Sequence, residues 1–220
     1  MEQLLENNCG IARNEHKNAH NNKRSIGENL RTQEVFRKTK ETEVFVKINL
    51  DGQGACDIDT GEPFFNHLLT LLSTHSLIDI AARVKGDLKH HSIEDLAIGL
   101  GEAARKTLGN GEGINRFGNA AVPMDCSLAF CAVDLVKRPY CKIDLKLRGK
   151  QIEGMATEDI NHFFETLATS LMANIHIWIQ YGNNDHHKAE AAIKALALAL
   201  KTAVAVDPRR KGIPSSKGVI

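Results

Sequence analysis

His90-His91-Ser92-Ile93-Glu94 and His186-His187-Lys188-Ala189-Glu190 are two copies of one pattern, His-His-x-x-Glu. The copies extend well beyond the motif. Upstream of the first lie Asn66-His67-Leu68-Leu69, Leu72, Thr74, an apolar run from Ile78 to Val84, and Gly86-Asp87. Upstream of the second lie Asn161-His162-Phe163-Phe164, Leu167, Thr169, a run from Ile175 to Ile179, and Gly182-Asn183. One inserted residue keeps the two tracks aligned. Each copy ends in an alanine- and leucine-rich stretch, Leu96 to Leu108 and Ala191 to Val204. Such self-similarity marks a duplicated unit.

The periodicities give each unit the same elements. Val44, Val46, Ile48 and Leu50 alternate with polar residues, as in a half-buried strand, and Asp51-Gly52 follows as a turn. Phe65, Leu68, Leu69 and Leu72 recur at helical spacing, and Ile78, Ile80, Ala82 and Val84 alternate again. His91 to Leu108 reads as a helix stopped by Gly109. In the second half, 128–135 and 140–147 read as strands, 159–171 as a helix, 174–180 as a strand and 187–204 as a helix. Each half is thus β-β-α-β-α, which predicts an α+β layer with sheet on one side and helices on the other.

The histidines carry the chemistry. Six of the ten occupy repeated positions: His67, His90, His91, His162, His186 and His187. Neighbours on a helix diverge by ~100°, so the two histidines of one pair face different ions. Glu94 and Glu190 lie three and four residues beyond their pairs and share a face with them. Six imidazoles and two carboxylates supply two metals with four ligands each and leave positions open on octahedral ions. Nitrogen and oxygen donors without thiolate suit Mn, Fe, Ni or Zn, and octahedral preference favours Mn. His67 and His162 start helices and complete each site from the opposite half. His75 and His176 break the repeat and are assigned structural roles. Neither H-E-x-x-H nor H-x-x-E-H occurs.

Composition excludes several alternatives. The formal net charge of +1 points to neither a nucleic-acid binder nor an acidic tail, and no apolar run reaches the ~18 residues of a membrane span. Five irregularly spaced cysteines without CxxC argue against a disulfide framework. They read as small buried hydrophobes in a reducing compartment. Residues 1–36, rich in Asn and charge, read as a disordered extension without signal-peptide character; His16 and His20 there are given no metal role. Residues 37–220 form the functional domain, with halves of about 37–113 and 114–220.

Anion-binding groups cluster late in the chain. Gly212-Ile213-Pro214-Ser215-Ser216-Lys217-Gly218 offers hydroxyls, an ammonium and glycine-flanked backbone. Arg116 and Arg138 sit at turns beside strands. Lys194 follows Glu190 by one helical turn and can reach toward an anionic substrate.

These segments together resemble imidazoleglycerol-phosphate dehydratase. The resemblance runs from Arg37 to Val219. It rests on Lys40-Glu41-Thr42, Phe65-Asn66-His67-Leu68, Gly86-Asp87, both HHxxE motifs, Arg116-Phe117-Gly118, Val122-Pro123-Met124-Asp125, Arg138-Pro139-Tyr140, His162-Phe163-Phe164 and the terminal PSSKG. It implies two pseudo-symmetric halves, each a four-stranded sheet backed by two helices (ribosomal protein S5 domain 2-like). It implies two Mn ions per active site, and trimers assembled into 24 subunits with sites at their interfaces. The implied reaction, in cytoplasmic histidine biosynthesis, dehydrates D-erythro-imidazole glycerol phosphate to imidazole acetol phosphate through a metal-stabilised imidazolate. By the same resemblance Glu190 is the general base, Glu94 its counterpart, and Glu41 and Asp125 line the substrate. Arg116, Arg138, Lys194, Ser215, Ser216 and Lys217 hold its phosphate. The chain departs from many relatives at Leu71, Trp178, Asn183 and Cys126, and in a shorter link between Asp87 and His90. A two-metal phosphoester hydrolase and a non-catalytic metal-storage assembly are the alternatives that the ligand inventory alone leaves open.

Overall fold

The computed structural model describes residues 31–220. The first half contains β1 (Thr32–Lys38), β2 (Thr42–Asn49), β3 (Cys56–Asp59), α1 (Pro63–Ser76), β4 (Asp79–Gly86) and α2 (Lys89–Leu108). The second contains β5 (Phe117–Met124), β6 (Ser127–Asp134), β7 (Tyr140–Asp144), a small hairpin of β8 (Gln151–Ile152) and β9 (Met155–Ala156), α3 (Thr157–Leu171), β10 (Asn174–Tyr181) and α4 (Asp185–Val204). The sheets have the same order, β1-β2-β4-β3 and β5-β6-β10-β7. In each, the third strand of the half pairs parallel with the fourth, and the other pairs are antiparallel.

The expected α+β duplication is therefore present, with one sheet strand more per half than β-β-α-β-α and, in the second half, the β8–β9 hairpin as well. The periodicity reading misses β1, β3, β5 and the two-residue strands β8 and β9. Each is an edge strand or short, so burial writes little alternation into it. In β1 only Val35 is buried, and β5 carries Gly118, Asn119 and Pro123. β1 also begins at Thr32, inside the stretch expected to be an extension, because its backbone pairs with β2 over its whole length. The disorder expected earlier in the chain lies outside the described residues.

Each helix pair covers its own sheet. α2 packs on β1 and β2, and α4 on β5 and β6. The buried apolar positions of β2 are Val44, Val46 and Ile48, and those of β10 are Ile175, Ile177 and Ile179. The two layers then meet crosswise, α1 against α4 and α2 against α3. Phe65 and Phe163 meet edge-on there, with centroids 5.2 Å apart. Small residues let the backbones approach: Ala189, Ala191, Ala192, Ala195, Ala197, Ala199 and Ala203 of α4 are all buried.

Equivalent ends confirm the duplication. α1 stops at Leu77 and α3 at Met172, both left-handed, with φ of 60° and 58°. The helix starts differ. Asn184 caps α4, its Oδ1 accepting from the backbone N–H of His186 and His187, whereas Leu88 leaves α2 without a side-chain cap. Such a cap contributes about 1 kcal/mol. It fixes the backbone at the second histidine pair.

A Cβ on Gly118 would overlap the Ala199 carbonyl where β5 touches α4. Gly118→Ala is expected to cost about 1–3 kcal/mol through the forced shift of two backbones. A urea unfolding midpoint equal to that of the parent protein would show that β5 does not pack this closely.

Candidate active site

The crossing of α1 with α4 brings His67 to His186 and Glu190. Both Nε2 atoms face Oε1 of Glu190, at 2.9 Å from His67 and 3.0 Å from His186. Glu190 is buried, and its other oxygen accepts from Lys194 at 2.6 Å. Burial opposes its ionisation. The hydrogen bonds from Lys194, His67 and His186 outweigh that and hold the carboxyl at about 2. Glu153, at the tip of the β8–β9 hairpin, stands 3.3 Å from Nδ1 of His186. Its φ of 49° and the 83° of Gly154 make a turn with two left-handed residues.

The crossing of α2 with α3 builds the second cluster from His90, Glu94 and His162. Nε2 of His162 lies 3.4 Å from Glu94, and the rings of His90 and His162 stack with centroids 4.9 Å apart. Nδ1 of His90 lies 2.6 Å from Asp159. A carboxylate only accepts, so this nitrogen carries the hydrogen, and Nε2 of the neutral ring is left as a donor to a cation.

In both clusters the three ligand atoms fall within 4.8 Å of one another. The donor set, imidazole nitrogen and carboxylate oxygen without sulfur, fits a divalent transition ion. The two histidines of each pair point apart. His90 and His186 enter clusters, while His91 and His187 turn elsewhere. His91 donates from Nδ1 to Asp87 at 2.8 Å, with Glu41 3.9 Å away, and the Asp87 hydrogen bond raises its pKa. His187 lies 3.4 Å from Cys126 through Nδ1 and 3.3 Å from Asp125 through Nε2.

A separate cavity of about 380 Å³ is lined by Arg116, Lys137, Arg138, Ser215, Ser216 and Lys217. Arg116 is already engaged: it donates twice to Asp134, at 2.6 and 3.0 Å, and once to the Pro214 carbonyl. The positive field of the cavity thus comes from Lys137, Arg138 and Lys217. Lys194, expected among the phosphate ligands, sits on Glu190 instead and does not line this cavity.

The sequence reading missed Asp159, Glu153, Asp87 and Lys137. Asp159 was detectable, because the repeat pairs it with Phe64, and a carboxylate opposite a phenyl ring breaks the symmetry. Glu153 belongs to a hairpin that the first half lacks, so the repeat gave no guide. His75 and His176 stay outside the clusters. His176 packs on Tyr140, and burial lowers the pKa of His75, with Lys194 adding to the effect. The cysteines correct another expectation: Cys131 is buried and Cys141 half-buried, but Cys56 and Cys126 are exposed.

A duplicated α+β chain with two histidine–carboxylate clusters, each drawn from both halves, defines a class of candidate dinuclear metalloenzymes. Comparison with known proteins gives the family. The family model for imidazoleglycerol-phosphate dehydratase matches residues 60–200. The imidazoleglycerol-phosphate dehydratase of Symbiobacterium thermophilum is 46% identical over 193 residues, covering 86% of this chain and 93% of its own. That of Chlorobium luteolum is 49% identical, covering 84% and 94%. A crystal structure of the Pyrococcus furiosus enzyme, in complex with (S)-C348, superposes with a TM-score of 0.74 at 37% identity, covering 84% of this chain and all of that one. The chain belongs to the imidazoleglycerol-phosphate dehydratase family, the hydro-lyases of histidine biosynthesis. Among the described residues, no helix is long and apolar enough to cross a membrane.

The hydrogen bond with His187, followed by those from Asn183, Asn184 and Ser127, lowers the Cys126 thiol to about 6. Burial pushes the Cys141 thiol up to about 11 and Cys131 higher still. Above pH 6 Cys126 is mostly thiolate, so iodoacetamide should alkylate it first at pH 7, at a rate that falls as the pH drops through 6. Mass spectrometry finding Cys141 modified before Cys126 would contradict this.

Proposed function

We propose that this enzyme dehydrates D-erythro-imidazole glycerol phosphate to imidazole acetol phosphate at two divalent metal centres. One is held by His67, His186 and Glu190, the other by His90, Glu94 and His162. The observation that carries this is the convergence of three ligand atoms in each cluster, from both halves, in a chain of this family. Mn2+ is the proposed ion, since oxygen and nitrogen donors with open positions suit octahedral coordination. A bound ion supplies Lewis acidity toward the substrate's imidazole ring and departing hydroxyl.

The chain's own groups do the rest. Arg138, Lys137 and Lys217, with the hydroxyls of Ser215 and Ser216, grip the phosphate through charge-assisted hydrogen bonds. Arg116 supports that grip by fixing the Pro214 carbonyl beside them. Glu190 has both oxygens engaged, one toward two histidines and one on Lys194, and it stays ionised, so it serves as a ligand rather than as the group that moves a proton. Proton transfer falls to the more open carboxylates Glu94 and Glu41, whose side chains are 40% and 60% exposed.

His91 and His187 complete these centres across an interface between subunits. What supports this is their position: both belong to the metal-binding motifs and turn away from the clusters of their own chain. The proposed assembly is a homo-oligomer of 24 subunits built from trimers, in the cytoplasm, without nucleic-acid or membrane partners.

Removing metal with a chelator should abolish dehydration, and Mn2+ should restore it, with keto product formed and phosphate retained. Inorganic phosphate released from the substrate instead would identify a hydrolase. Lys217→Ala should raise KM by about tenfold with a smaller change in kcat, as the loss of one charged phosphate contact of about 1.5 kcal/mol predicts. An unchanged KM would remove Lys217 from the phosphate grip. Size-exclusion chromatography after complete metal removal should show a smaller species than the 24-subunit assembly.

A further inference from the structure

The two clusters are related by the repeat, yet their surroundings carry different charge. Asp159 stands in α3 where α1 has Phe64. It is buried and accepts from Nδ1 of His90 at 2.6 Å. Phe64 instead packs its ring on His186, with centroids 5.1 Å apart, and gives that imidazole no acceptor. The acceptor His186 does meet, Glu153, is a solvent-exposed side chain on a hairpin turn at 3.3 Å. A second substitution works in the same direction. Lys194 stands in α4 where α2 has Ile98, and its ammonium lies 2.6 Å from Glu190. One cluster therefore combines two carboxylates, Glu94 and Asp159, with two imidazoles. The other offsets its carboxylate with a half-buried cation.

We propose that Asp159 is a positioning residue that makes the two metal sites unequal, so that the His90/Glu94/His162 site takes up a divalent ion before the His67/His186/Glu190 site. The inference rests on the proposed reading that both clusters hold metal. Asp159 acts in two ways. It fixes the His90 tautomer with Nε2 toward the ion, and it strengthens the ring as a donor by holding the Nδ1 hydrogen. At the other site an incoming cation meets the Lys194 ammonium, whose repulsion weakens binding there. The same asymmetry divides the labour. The tighter ion stays in place, and the weaker one, beside the exposed face of the β8–β9 hairpin, is the one free to exchange ligands during turnover.

The test is a Mn2+ titration of metal-free full-length protein, with free Mn2+ read by electron paramagnetic resonance. Two classes of site are expected. Asp159→Asn should weaken the tight class by about tenfold or more, the usual effect of losing a ligand-orienting carboxylate, and leave the weak class unchanged. His67→Ala should remove the weak class and keep the tight one, while His162→Ala should do the reverse. These two variants keep the proposal testable should Asp159→Asn fail to fold. Equal affinities in the parent protein, or a tight class that survives His162→Ala and is lost in His67→Ala, would overturn the inference while leaving a dinuclear dehydratase intact. No Mn2+ uptake at either class would overturn both the inference and the metal-dependent function beneath it.

Discussion

The crosswise contact of the four helices is the constraint on which the rest depends. If α1 and α2 packed only on their own sheet, His67 and His90 would stay with the ligands of their own half. Because α1 meets α4 and α2 meets α3, each cluster takes residues from both halves. That contact is made close by alanines along α4 and by the edge-on pair Phe65–Phe163. Burial of apolar surface between the layers thus fixes the geometry of polar groups at their ends. The two halves are not independent modules that happen to be linked. Each half supplies residues to both histidine–carboxylate clusters.

Duplication supplies symmetry, and the chemistry comes from where it breaks. A phenyl ring in one half and a carboxylate in the other set different partners for two equivalent histidines. An isoleucine in one half and a lysine in the other leave one glutamate half-open and bury its counterpart in an ion pair. Cys126 adds a third departure. Thr42 and Ser127 occupy matching places against Gly86 and Gly182, so Cys126 corresponds to Glu41. A thiol facing His187 and a carboxylate near His91 give the two outward histidines different companions as well.

Much of this was legible in the sequence, for identifiable reasons. Strong alternation in 44–50 and 78–84 reflects strands with one face on the core, and helix 91–108 carries a clear stop at Gly109. The ~100° divergence of adjacent helical residues was enough to split each histidine pair, and the repeat was enough to join His67 and His162 to the opposite half. The edge strands β1 and β5 were not legible, because they bury too little to write a period. Nor were partners set by three-dimensional crossing. The Glu190 partner of Lys194 and the Asp134 partner of Arg116 show only in the folded chain. A charged residue's sequence position shows what it can bind; only packing shows what has already bound it.

The central claim is that each metal centre is assembled from both halves of the duplication. Anomalous diffraction from Mn2+-loaded crystals tests it most directly. The account predicts one peak bonded to His67, His186 and Glu190 and a second bonded to His90, Glu94 and His162. Peaks coordinated, within any one chain, by residues of a single half would contradict it.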